Sequence, residues 1–74
     1  MIEEFYGKHA RIETNNAVYH KGFVSPHADL FKNGEPQYGR ALKVRWIKTD
    51  ESGKLRTHED VVLVDNIVRM QILE

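Results

Sequence analysis

The side chains best equipped for chemistry in this sequence are four histidines, His9, His20, His27 and His58. Imidazole binds metals and moves protons near neutral pH. A metal site needs three or four ligands converging at ~2 Å, and none of the histidine spacings here is diagnostic of one. His9 and His20 can meet across a hairpin at Asn15-Asn16, while His27 and His58 are expected in flexible segments. They are read as ordinary surface histidines, with no metal and no cofactor expected. Glu59-Asp60 is a carboxylate pair, but adjacent residues on a strand point to opposite faces, so it does not form a general acid/base couple. The only serines, Ser25 and Ser52, stand beside turn formers, outside any Gly-x-Ser-x-Gly elbow. No Gly-rich phosphate loop is present. No catalytic residue is assigned, and an enzyme is not expected.

Binding chemistry is better represented. Arg40-Ala41-Leu42-Lys43-Val44-Arg45-Trp46-Ile47-Lys48 alternates apolar and basic residues and contains the only Trp. As a strand it places Leu42, Val44 and Trp46 on one face and Lys43 and Arg45 on the other. Trp46 is accordingly read as core. Arg40, Lys43, Arg45, Lys48, Lys54 and Arg56 would line a basic two-stranded ribbon able to contact RNA or DNA, with Tyr38 stacking at its edge. The competing interaction class is protein binding. Leu30, Phe31 and Tyr38 lie in a long excursion over 25–39, and such excursions often carry binding residues.

Composition bounds these readings. Seventy-four residues make one domain, 1–74, with one small core. Formal net charge is zero, which removes non-specific attraction to nucleic acid or membrane as an argument. The charge is uneven: residues 40–56 hold six cations against two carboxylates, and residues 57–74 hold four carboxylates against Arg69. If the two stretches are neighbouring strands, cross-strand pairing neutralises part of each. The absence of Cys excludes disulfides and thiolate chemistry and suits a cytoplasmic setting. No long apolar run or signal-type segment appears, so no membrane association is expected.

The elements that would position these residues are strands. Lys8–Thr14 alternates, Asn15-Asn16 is a turn, and Ala17–Val24 alternates again with Tyr19 and Phe23 on one face. Gly22 in mid-strand suggests a bulge or bend. Over 25–39, Ser25-Pro26 resembles a helix start, whereas Asn33-Gly34 is a tight-turn signal, so a short helical turn and a hairpin flap both remain open. The basic strand, a polar turn at 49–54, a short strand at Leu55–Thr57 and an apolar run at Val61–Val64 follow. Ile67–Leu73 closes the chain with apolar residues on both faces, so a cover from the interior, a second copy or another protein is expected.

A hairpin at Ala10–Ile12 and Val18–Val24, a long loop, the Trp-bearing Val44-Arg45-Trp46 strand and the Val64-Asp65-Asn66-Ile67 turn into a last strand together resemble the SH3-like or Tudor-type small β-barrel. The resemblance is architectural, and it implies an all-β barrel of five or six short antiparallel strands. The expected role is a non-catalytic binding or regulatory module meeting another protein through 25–39 and the adjacent basic strand. RNA or DNA binding is the alternative, homo-oligomerisation is compatible with both, and a phage or bacterial accessory protein would suit the size.

Overall fold

A computed structural model describes residues 2–28 and 30–74, with Leu30 described by its backbone alone. A 3-10 turn at Ile2–Phe5 leads into β1 (His9–Thr14) and β2 (Val18–His27). Two short strands, β3 (Leu30–Lys32) and β4 (Glu35–Gln37), come next, then β5 (Ala41–Thr49) and β6 (Leu55–Leu63). A 3-10 turn at Val64–Asn66 enters β7 (Ile67–Ile72). The fold is all-β: a five-stranded antiparallel sheet in the order β6-β5-β2-β1-β7, and a separate two-stranded sheet of β3 and β4.

One face of the large sheet carries the core. Ala10 and Ile12 of β1, Val24 of β2, Leu42 and Val44 of β5, and Val62 of β6 are buried there. Ile2, Phe5 and Tyr6 from the first turn, Val64 from the second, and Ile67 and Met70 from β7 close over them. Leu42 and Val44 are fully buried while Lys43 and Arg45 turn away, as the period of two requires. Trp46 follows the same parity but is half-buried, packed at the margin of the core rather than inside it.

Two bulges overrule the simple alternation expected elsewhere. Ala10 pairs with Gly22 and Ile12 with Tyr19, so the extra residue lies in β2 at His20-Lys21. Tyr19 therefore shares the core face with Gly22 and Val24, and Phe23 lies on the other; the expectation that Tyr19 and Phe23 share a face is wrong. A Cβ on Gly22 would stand 2.4 Å from Val44 Cγ1, so the missing side chain lets buried Val44 approach the backbone of β2. Likewise Glu13 pairs with Arg69 but Thr14 with Ile67, which expels Val68 as the bulged residue. Ile67 and Met70 then both face the core, and the two-sided apolar pattern of this segment reflects the bulge.

The described residues of 25–39 are strand and hairpin, not a helical turn. β2 continues through Ser25-Pro26, with Pro26 opposite Leu42. Val24 exchanges backbone bonds with Gly7 and Lys8 on the β1 side. Pro26, two residues on, turns its missing donor to that same side, beyond the end of β1, so no ladder bond is lost. Asn33 and Gly34 both have positive φ, 53° and 80°, the pair of conformations a two-residue primed hairpin turn demands. His58-Glu59-Asp60 does not interrupt β6 either; β5 and β6 pair without a break from Ala41–Leu63 to Thr49–Leu55. β2 pairs with β5 only as far as Arg45, so Trp46–Thr49 and the β6 residues opposite them overhang the sheet.

Candidate functional site

The β3–β4 hairpin springs from the end of β2 and returns to β5, forming its own sheet. Phe31 lies directly opposite Pro36, and the Phe31 side chain is 72% exposed. Tyr38, just past β4, is 58% exposed. The Leu30 side chain lies outside the described residues, although its backbone pairs with Gln37. Of the three residues expected to contact a protein, two are thus aromatic groups presented to solvent on one projecting element.

The six basic residues are not brought to one surface. Lys43 and Arg45 lie on the face opposite the core, where Lys43 Nζ stands 3.6 Å from Glu59 and Arg45 is the cross-strand partner of the same Glu59. The Arg45 guanidinium also covers the Phe23 ring at 5.7 Å. Lys48 and Arg56 face each other on the core side of the overhang, beyond the core itself. Arg56 Nε donates to Asp50 Oδ2 at 2.8 Å, which offsets the like charge opposite it. Arg40 precedes β5 and Lys54 belongs to the turn between β5 and β6.

That turn is organised by Asp50. Its Oδ1 accepts from the backbone N–H of Ser52 and of Lys54, both at 2.9 Å, and from the Ser52 hydroxyl at 2.7 Å. The Ser52 hydroxyl and Arg56 together draw the Asp50 carboxyl down to about 2.

Spacing did not reveal an aromatic and carboxylate cluster at the core margin. Trp46 stacks on His58 with centroids 5.5 Å apart and meets Tyr19 edge-on at 5.2 Å. The Tyr19 hydroxyl donates to Asp60 Oδ2 at 2.6 Å. Desolvation, reinforced by the Asp60 carboxylate, pushes the Tyr19 phenol up to about 12. The β2 bulge assembles this group by turning Tyr19 inward. Gly22 was the available signal, but a bulge signal does not say which flanking residue changes face.

His9 pairs across β1–β2 with Phe23, its ring edge-on at 5.3 Å, and its Nδ1 meets the Glu74 carboxylate. It does not meet His20, whose position lies in the bulge. Among the described residues no three His, Asp or Glu side chains converge in a way that could hold a metal ion. Nor is any helix among them long and apolar enough to cross a membrane.

The fold and these surfaces define a small all-β domain with a projecting two-stranded hairpin. No protein-family model matches the chain, and neither the curated proteins nor the solved structures contain a significant match to it.

Proposed function

We propose that this chain is a non-catalytic binding or regulatory module of SH3-like barrel type, which contacts another protein through the β3–β4 hairpin and the adjoining strand β5. The observation that carries the reading is Phe31, held opposite Pro36 and exposed on a hairpin outside the main sheet. A two-stranded hairpin is marginal by itself in water, and burying such a ring against a partner is worth about 2 kcal/mol. Exposed aromatic anchors of this kind dominate many protein interfaces. The barrel type is supported by the long excursion after β2, the Trp46-bearing strand after it, and a last strand that enters through a 3-10 turn and returns beside β1. The lack of cysteine suits such a module to the cytoplasm, and an accessory role in a bacterium or phage fits its size.

The alternative, RNA or DNA binding, draws on Lys48 and Arg56 beside the Trp46–His58 stack. It loses Lys43 and Arg45, which stand on the opposite face beside Glu59.

The test is capture of a partner by the immobilised chain from its host extract, compared with Phe31→Ala and Tyr38→Ala. Loss of capture in the variants, with their far-ultraviolet spectra unchanged, is expected; undiminished capture by both defeats the proposal. A nucleic-acid role would instead show as a mobility shift that fades steeply with salt and is lost in Arg56→Glu.

A further inference from the structure

From the free edge of β6 we infer that this chain pairs with a second copy of itself, strand against strand and antiparallel, with His58 on the two-fold axis.

The direction of the β6 backbone follows from the two ends of its ladder. Asp50 N donates to Lys54 O at 2.8 Å, and Val64 N donates to Arg40 O at 2.9 Å. Between them the β5–β6 register runs without a bulge. Antiparallel ladders bond at alternate residues, so Arg56, His58, Asp60 and Val62 turn their backbone groups to β5. Leu55, Thr57, Glu59, Val61 and Leu63 turn theirs to the outside, where among the described residues no strand pairs.

Sheet edges are ordinarily shortened, bulged, interrupted by proline or covered. The other edge, β7, is six residues long and bulged at Val68. β6 is nine residues long, straight in register and free of proline, with Leu55 70% and Val61 52% exposed. Its charges at Arg56, Glu59 and Asp60 oppose pairing with an arbitrary strand, yet they match a second copy. With His58 on the axis, Arg56 of each copy faces Asp60 of the other, Leu55 faces Val61, and Thr57 faces Glu59. Each of these pairs occurs twice by symmetry.

The outward backbone groups permit only shifts that move the axis by whole residues. Placing it at Glu59 sets two carboxylates opposite each other. Placing it at Thr57 sets Arg56 against His58 and takes Val61 out of the strand pairing. A parallel arrangement would offset the two strands by an odd number of residues, because both outward sets lie at odd positions, and would turn the two core faces to opposite sides. Both members of the favoured ion pair have capacity left: Arg56 uses Nε on Asp50, and Asp60 uses Oδ2 on Tyr19. Ten strands would then form one continuous sheet, with the β3–β4 hairpin of each copy two strands in from the join.

Sedimentation equilibrium of the whole chain over a concentration series is the test. The expected mass rises to twice 8.6 kDa; a mass of 8.6 kDa at every concentration overturns the inference. Thr57→Pro removes one outward donor and no β5–β6 bond, so it is expected to halve the mass while keeping its β spectrum. A Thr57→Pro chain that still doubles places the contact elsewhere. Arg56→Asp is expected to be monomeric, and Arg56→Asp with Asp60→Arg to recover the doubled mass. A folded double variant that stays monomeric overturns the Arg56–Asp60 pairing, and should it fail to fold, Thr57→Pro decides.

Discussion

The Tyr19 hydroxyl reaches Asp60 at 2.6 Å although β5 lies between their strands. Adjacent strands stand about 4.8 Å apart, so β2 and β6 would be about 9.6 Å apart in a flat sheet. A long phenol and a carboxylate reaching from the two sides close the gap because the bulge turns Tyr19 onto the core-side face that Asp60 shares. One hydrogen bond thus ties β2 to β6 over the edge of Trp46.

Ionisation of Tyr19 must break that tie. Its phenol is pushed from 10.0 up to about 12, so the proton is held more tightly in the folded chain than in the unfolded one. The stabilisation is complete below pH 10 and disappears as pH rises through 12. Absorbance titration of tyrosinate should show a late phase that Tyr19→Phe removes. A wild-type curve identical to that of Tyr19→Phe in the range from 10 to 12 would contradict this.

Asp50 behaves in the opposite sense. Its carboxyl is lowered from 3.8 to about 2, so the turn is fully stabilised above pH 3.8 and loosens as pH falls through 2. The amide protons of Ser52 and Lys54, which donate to Oδ1, report this directly. Their chemical shifts should titrate with a midpoint near 2; a midpoint at 3.8 would mean that the acceptor role is absent in solution.

Gly22→Ala is expected to destabilise the chain by about 1–3 kcal/mol through overpacking, because Val44 is fully buried and has nowhere to retreat. Val44→Ala removes the offending Cγ1. Denaturant unfolding of the two single variants and the double variant should therefore show strong coupling. Additive losses would place the clash elsewhere.

The β7 bulge predicts contrasting costs for neighbouring apolar residues. Val68, 69% exposed, should tolerate alanine within ~0.5 kcal/mol. Met70, packed on the core, should lose about 1 kcal/mol or more on the same change. Equal unfolding midpoints for Val68→Ala and Met70→Ala would be inconsistent with the bulged register.

Phe31→Ala, the central variant for partner binding, should shift stability by no more than ~0.5 kcal/mol, since its ring is mostly in solvent. Thermal unfolding followed by circular dichroism checks this. A large loss would mean that Phe31 supports the fold, and its binding defect would no longer be interpretable.

Much of the architecture follows from the sequence alone. Alternation with a period of two determines the strand character of Lys8–Thr14 and Arg40–Lys48. It also determines that Leu42 and Val44 are buried while Lys43 and Arg45 are not, because strand geometry leaves no other choice. Turn chemistry marks Asn15-Asn16 and Asp50–Lys54, since these residues satisfy the backbone locally through Thr14 and Asp50. The hairpin at Asn33-Gly34 was one of two readings the residues allowed. Its selection depends on β2 continuing through Pro26, which is possible only because the side of β2 facing β1 is unpaired there.

Tertiary structure decided which residues meet. A bulge adds one residue and reverses every side chain beyond it, so local periodicity could not place Tyr19 with Trp46 or Ile67 with Met70. The six basic residues formed a single set in sequence, but strand pairing divided them between two faces and set Glu59 against Lys43 and Arg45. The edge position of β6 depends on the order of strands in the sheet, which no segment encodes by itself. Residue types and local spacing determined the strands and turns; long-range register determined the surfaces, because a face belongs to several strands at once.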